Sequence, residues 1–535
     1  MRYLIALLAT LSCWSGVASA APTRAVTTTE GDVTGLMQGG IAVFRGLPYG
    51  AAPEGELRWR PPQPAPRRAT VFVAEDFGTV CPQSQRVSQN LAGVPMGEDC
   101  LRLNIYSPAG AFDGGEPLPV MVWIHGGSFR WGAGSYPGGE PFALAHQGVV
   151  VVTVNYRLGR LGLFAHPALS ASMPNEPVGN YALMDQIAAL RWVQANIAAF
   201  GGDPARVTIF GQSAGGVSVT TLMAVPSARG LFRGAIAQSG ASRIEGDRVL
   251  RATGGPFLSL EADGLAMAQS FGIANDASAP QKLRALDVEA IGRYSEKEVP
   301  NSMNPVVDGR LLPEDISRIF RAGRQQPVPF LTGTTTWEAS LLGTYPFKLE
   351  DLVLGADPAQ VRRAYAGLEE RAVVTGWFED SLFRAPARFL AGEMQRVGQP
   401  AWLYEFGYVA EERRASAPGA AHSDDVAFVF GDLGLRGRWR GESPPTAADR
   451  RMAQIVTSYW LNFAKHADPN GPALPTWPRY DRRTDRLLDL SPTIVARAPR
   501  RADVLRFFDE RYEAALSAPA PSQQLRNESP EGVSR

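Results

Sequence analysis

Lysine is nearly absent from this 535-residue sequence. Lys282, Lys297, Lys348 and Lys465 are the whole complement, so 49 of the 53 basic residues are arginines. Against them stand 53 acidic residues, for a formal net charge of zero. The lysine shortage is a matter of codon usage, but the missing charge excess has meaning. Nucleic-acid binding usually leaves a basic surplus, and no block of like charge marks a polyelectrolyte partner. Hydrophobic residues are not lacking: at 45%, with 20% charged, the chain can fill a core and is not a disordered polymer. Also missing are internal repeats, heptads, and any apolar run of the ~20 residues that a membrane-spanning helix needs. The sequence leaves the oligomeric state open, with a monomer or weak dimer as the expectation. Cysteine (three) and histidine (five) are scarce enough to be weighed one by one.

The N-terminus carries Arg2, an apolar run over residues 4–11, and then Ala18-Ser19-Ala20. That is the charge, apolar stretch and small-residue site of a secretory signal, predicting cleavage after Ala20 and export to the periplasm or medium. A buried N-terminal helix is the alternative. Cleavage removes Arg2 and Cys13, so the mature chain has a net charge of −1 and keeps Cys81 and Cys100. In an exported chain such a pair reads as one disulfide, with two free thiols as the alternative. The loop it closes would contribute ~3 kcal/mol in the chain-entropy model. Residues 516–535 are rich in Pro, Ser, Gln and charge and read as a dispensable tail. One catalytic body, residues 21–515, lies between.

Within that body, short apolar runs alternate with helical patterns, which predicts an α/β fold with a mostly parallel sheet. Residues 118–124, 149–154 and 206–210 are continuous apolar runs, as strands covered on both faces should be. Residues 181–200 carry a helical stripe at Leu183, Ile187, Leu190, Val193 and Ile197, closed by Gly201-Gly202. Residues 328–332 and 402–406 are later strands, and residues 242–302 read as a helical cap.

Gly211-Gln212-Ser213-Ala214-Gly215 fits G-x-S-x-G, a pattern expected ~0.4 times by chance at this glycine content. Its context makes it specific. The motif follows the strand at 206–210 and precedes a helix-compatible run, and a strand-to-helix turn is where it has a mechanism. Such a turn lifts the Ser213 hydroxyl from the carboxyl edge of the sheet, with a helix N-terminus behind it. His125-Gly126-Gly127-Ser128 follows another strand, and its glycine pair would let backbone N–H groups approach a developing oxyanion. A plain glycine-rich turn is the alternative for each motif taken alone.

Among the histidines, His125 belongs to the glycine turn, His146 precedes a strand, His166 lies upstream of Ser213, and His466 ends a helical run. His422, in a small-residue loop after the strand at 402–406, remains as the candidate base. The candidate acid is Glu338, which follows the strand at 328–332. Asp308, in Val306-Val307-Asp308-Gly309, is its rival and looks more like a turn aspartate.

With these residues on the page, the chain resembles the type-B carboxylesterases of the α/β-hydrolase fold. Segments 44–49, 57–59, 98–106, 125–127, 155–157, 179–181, 201–204 and 210–215 carry the likeness over nearly the whole mature chain. The resemblance implies Ser213 as nucleophile, Glu338 as acid and His422 as base. It implies an oxyanion hole from the N–H groups of Gly127, residue 128 and Ala214, with Gly126 in the same turn. It further implies a Cys81–Cys100 disulfide and buried pairs Arg58–Glu98 and Arg157–Asp185, and no cofactor or metal. Three positions depart from the family pattern. Ser128 stands where glycine is usual, Gln212 where glutamate is common, and the loop between Cys81 and Cys100 holds no tryptophan. A cationic ester would therefore lack both an aromatic face and an anion, and neutral esters are the expected small-molecule substrates. The alternatives are a lipase acting on longer chains and a non-catalytic binding relative.

Overall fold

The computed structural model describes residues 21–83, 94–135, 140–241, 248–251, 258–296, 304–343, 347–353, 356–434 and 444–518. Residues 1–20, where a signal is expected, those beyond 518 and parts of the expected cap lie outside the described residues.

A twelve-stranded sheet forms the centre. Its strands are β1 Ala21–Pro22, β2 Leu36–Gln38, β3 Ile41–Pro48, β4 Arg102–Pro108, β5 Leu118–Ile124 and β6 Val150–Val154. They continue with β7 Gly202–Gln212, β8 Gly234–Gln238, β9 Phe330–Thr335, β10 Ala401–Phe406, β11 Leu487–Leu490 and β12 Val495–Arg497. The spatial order is β1-β2-β3-β4-β6-β5-β7-β8-β9-β10-β11-β12. From β6 to β11 every pairing is parallel, and both flanks are antiparallel. The strongly apolar runs are the strands buried on both faces. In β5, Val120, Val122 and Ile124 pack into the core on one face, while Met121 and Trp123 pack into that on the other.

The chain leaves β5 to one side, for β6, and returns past it to β7. The sheet therefore reverses its winding at β5 and β7, and ligands of open α/β sheets bind at the carboxyl ends of the strands at such a point. Helix α1, Tyr181–Asn196, runs on into a 3-10 turn to Phe200, as the apolar stripe predicts. Helix α2, Ala214–Ala224, follows β7 directly. The cap contributes α3 Leu260–Ser270, α4 Ala279–Arg284 and α5 Val288–Glu296. Helices α6 Glu370–Glu379 and α7 Ala385–Arg396 are joined by a π-turn, Asp380–Arg384. The helices α8 Asp424–Phe430, α9 Ala447–His466 and α10 Ala502–Ser517 complete the set used below.

Several expected boundaries move, that of β7 from 206–210 to Gly202–Gln212 among them. The strand foreseen at 328–332 runs from Phe330 to Thr335. Pro329 has no N–H for the ladder, so pairing starts after it, and the polar Thr334 and Thr335 are strand residues because their side chains are buried. Helix α10 extends to Ser517, two residues into the expected tail. Cys81 and Cys100 are disulfide-bonded, with Cα atoms 5.0 Å apart. The implied ion pairs are present and buried. Arg157 donates from Nε and Nη2 to Asp185 at 2.8 and 2.7 Å. Arg58 likewise grips Glu98 at 2.7 and 2.5 Å and donates onward to the carbonyls of Arg284 and Leu286 in the cap.

Candidate active site

Ser213 joins β7 to α2 with φ 58° and ψ −124°, backbone angles that an L-residue holds only under constraint from its surroundings. The surroundings are tight. A Cβ on Gly211 would lie 2.6 Å from the Gly215 backbone, and one on Gly215 would lie 2.0 Å from the Ile124 carbonyl oxygen. Both glycines of the motif are thus demanded by the contact between the turn and β5. A serine before a helix ordinarily caps it with its hydroxyl. Ser213 makes no such bond, and the first N–H groups of α2 stay free of its side chain. Its own N–H donates to the Gln238 carbonyl at 2.9 Å.

The glycine turn after β5 lies against this serine. A Cβ on Gly126 would come within 3.1 Å of the Ser213 Cβ. Gly127 has φ 113°, and a Cβ there would be 1.9 Å from the Trp131 carbonyl oxygen. Ser128 and Phe129 follow at φ 54° and 56°. Two consecutive non-glycine residues in the left-handed region cost roughly 1–2 kcal/mol each. The fully buried His125 supports the turn. Its Nδ1 lies 2.8 Å from the Gly126 carbonyl oxygen, its ring stacks on Tyr156 at 4.3 Å, and the Tyr156 hydroxyl donates to its carbonyl at 2.7 Å. Burial lowers its imidazole to about 4, so it is neutral at physiological pH.

Glu338 and His422 come from the ends of β9 and β10. Trp337 bridges to Ala421, the Trp337 N–H donates to the Ala420 carbonyl at 2.9 Å, and the His422 N–H donates to Ser340 Oγ at 2.9 Å. This stitching brings His422 Nδ1 to 2.5 Å from Glu338 Oε2. The other oxygen, Oε1, accepts the Thr335 N–H at 2.7 Å. Burial alone would raise the Glu338 carboxyl, but the charge and hydrogen bond of His422, with the Thr335 N–H, outweigh it and hold the group below its ordinary value. An ionised Glu338 is an acceptor only, so Nδ1 donates to it, and whenever the ring is neutral Nε2 offers a lone pair. Gln212 Nε2 lies 3.1 Å from that Nε2.

Of the sequence candidates, Ser213, Gly126, Gly127, Ser128, Ala214, Glu338 and His422 are all carried by the carboxyl ends of β5, β7, β9 and β10. Asp308 is elsewhere, in a turn where its Oδ1 accepts the N–H groups of Arg310 and Leu312. His146 is exposed, and His166 is buried at the start of a short helix, its Nδ1 accepting the Ala168 N–H. Sequence reasoning missed Phe383, whose ring meets the His422 imidazole edge-on at 5.5 Å from the π-turn. It also missed Asp425, Gln238 and Tyr404. The one signal for these was an acid three residues after the candidate base. Among the described residues no His, Cys, Asp and Glu cluster is placed to hold a metal ion, and no helix is long and apolar enough to cross a membrane.

Comparison with known proteins agrees with this geometry. The carboxylesterase family profile matches residues 22–357 and 360–507. Para-nitrobenzyl esterase of Bacillus subtilis (strain 168) is 36% identical over 488 residues, covering 88% of this chain and 95% of that one. Fumonisin B1 esterase of Sphingopyxis macrogoltabida is 35% identical over 485 residues, covering 85% and 84%. A solved PNB esterase superposes with a TM-score of 0.79 at 31% identity, covering 92% of this chain and 99% of its own. A carboxylesterase of Geobacillus stearothermophilus gives 0.77 at 31%, covering 92% and 100%. Having the α/β-hydrolase sheet and this match over nearly its whole length, the chain belongs to the carboxylesterase family and is a carboxylic ester hydrolase.

Proposed function

We propose that the protein cleaves neutral carboxylic esters by two-step acyl transfer, with Ser213 as nucleophile, His422 as general base and acid, and Glu338 as the carboxylate that orients the imidazole. His422 Nε2 takes the Ser213 hydroxyl proton as Oγ bonds to the ester carbonyl carbon. The negative charge that develops on the carbonyl oxygen is met by backbone N–H groups of the Gly126-Gly127-Ser128 turn and of Ala214. The bond to the alcohol oxygen then breaks, and the alcohol departs with the proton held on Nε2. Water attacks the acyl-enzyme by the same route, releasing the acid and returning a proton to Ser213. The observation that carries the reading is the 2.5 Å contact between Glu338 and His422, at the same sheet edge as a serine held at φ 58°.

Neutral substrates are supported by what surrounds the base. Gln212 places an uncharged amide beside Nε2. Phe378, Phe383 and Ala339 form an apolar cluster with Trp337 and Leu342, and Leu341 next to them is 53% exposed. Such a wall suits an apolar acyl or alcohol group. Export after Ala20 is consistent with the Cys81–Cys100 disulfide, and sequencing of secreted protein should find Ala21 first.

The test is hydrolysis of p-nitrophenyl esters from acetate to palmitate by the wild type and Ser213→Ala. Activity on short and medium esters that the variant loses is expected. Undiminished hydrolysis by the variant would sink the mechanism, and turnover confined to long emulsified chains would make the protein a lipase.

A further inference from the structure

Next to the candidate acid and base lies a second buried carboxylate that ester hydrolysis, as set out above, does not use. Asp425 is 0% exposed, on the first turn of α8 and three residues after His422. Its Oδ2 accepts from Gln238 Nε2 at 2.9 Å and from the Tyr404 hydroxyl at 3.0 Å, while Oδ1 is buried with no hydrogen-bond partner. Uncompensated burial of a carboxylate oxygen is costly, so the site is not explained by stability.

Both donors lead back to the reaction centre. Gln238 ends β8, and its backbone carbonyl accepts the Ser213 N–H at 2.9 Å. Its side-chain oxygen accepts the Trp460 indole N–H at 3.1 Å, which fixes which way the amide faces. Tyr404, on β10, lies across β9 at Gly333, where a Cβ would be 2.2 Å from the tyrosine ring. A single carboxylate thus ties the nucleophile's backbone to the segment that bears the base, across four strands.

We infer that Asp425 is a positioning residue for His422: linked through Gln238 to the Ser213 turn, its carboxylate stabilises the imidazolium that His422 becomes during turnover. This rests on the Ser213–His422–Glu338 reading. Gln238 from β8 and Tyr404 from β10 hydrogen-bond to Asp425, and Glu338 after β9 and His422 on its own segment act on it through their charge. The neighbouring Asp424 turns away, to Arg413 at 3.1 Å. Burial, with the negative charge of Glu338, raises the Asp425 carboxyl to about 6 against the pull of Gln238, Tyr404 and His422. With Oδ2 already accepting two hydrogen bonds, the proton of the neutral form sits on Oδ1. As pH rises through about 6 that proton leaves, and the unpartnered oxygen becomes a negative charge whose nearby countercharge is the transient imidazolium.

The experiment compares kcat and KM of the wild type and Asp425→Asn on p-nitrophenyl acetate from pH 5 to 8.5. Asparagine keeps the shape and the acceptor for Gln238 and Tyr404 but never carries charge. The ratio of wild-type to variant kcat should be about tenfold at pH 8 and fall below about twofold at pH 5, with KM within twofold throughout. A ratio that does not change with pH would show a merely structural role and overturn the inference. Tyr404→Phe covers the case in which the asparagine variant does not fold. It removes a donor to the charged form, so the pH at which wild-type kcat rises should move upward, and an unmoved rise overturns the inference. Ser213→Ala separates the two failures. If it abolishes hydrolysis while the Asp425 ratio stays flat, only this inference falls, and if it does not, the reading beneath it falls first.

Discussion

The two halves of the proposed active site, one bearing Ser213 and the other Glu338 and His422, are built in different ways. The nucleophile half is backbone against backbone: Gly211, Gly215 and Gly126 leave no room for a Cβ because strand β5, the β7 turn and α2 touch directly. The proposed acid–base half closes through a side-chain contact, the Glu338–His422 pair, on a loop that a single backbone bridge holds. Glu338 and His422 are 84 residues apart and meet through Ser340, Thr335 and the Trp337–Ala421 bridge. Backbone contacts cannot relax without moving strands, whereas side-chain contacts can re-form around a small change. The nucleophile half should therefore fail abruptly and the acid–base half by degrees.

Paired substitutions test that contrast. Gly215→Ala sets a methyl 2.0 Å from the Ile124 carbonyl oxygen, in the middle of the sheet edge. It should cost more than about 10³-fold in kcat/KM, as loss of both the Ser213 geometry and the oxyanion turn implies. Gly419→Ala, in the loop leading to His422, meets the Thr336 hydroxyl at 2.8 Å. That neighbour is a side chain held by one hydrogen bond, from the Ala420 N–H at 2.9 Å, so the loss should stay below about tenfold. Equal losses on p-nitrophenyl acetate would erase the distinction.

Glu338→Gln is comparable in size to Gly215→Ala, because it removes a charged group and not a packing contact. An amide cannot stabilise the imidazolium and does not fix the Nδ1–H tautomer, and kcat should fall by about 10²–10⁴-fold with KM little changed. Smallest is Ser128→Gly, which relieves a residue held at φ 54° without removing its N–H. It should raise unfolding stability by about 1 kcal/mol in denaturant titrations and leave kcat within a few-fold. A destabilised glycine variant would mean that the serine side chain supports the turn.

The same contrast explains what could be read from sequence. The nucleophile half is local: five residues of G-x-S-x-G, four of the glycine turn and two apolar strands carry it, and the structure puts them where the pattern expects. Glu338 and His422 were legible because each follows a strand whose end must reach the site. Asp425 and Gln238, 187 residues apart, were not. Their contact depends on the order of β7, β8, β9 and β10, which no local pattern encodes. The π-turn that brings Phe383 to His422 was also hidden, since no local sequence pattern marks its extra residue. The end of β9 was misjudged because buried threonines look like loop residues until their neighbours are known, and its start because Pro329 cannot donate to the ladder.

In the proposed mechanism Ser213 Oγ carries the acyl group between the two steps. Treating the wild-type protein with one equivalent of diethyl p-nitrophenyl phosphate and mapping the adduct by peptide mass spectrometry tests this directly. The account predicts stoichiometric diethylphosphorylation of the peptide containing Ser213, with hydrolysis lost in proportion. Proportional loss of hydrolysis with the label on any other residue, or full labelling of Ser213 with activity intact, would contradict it.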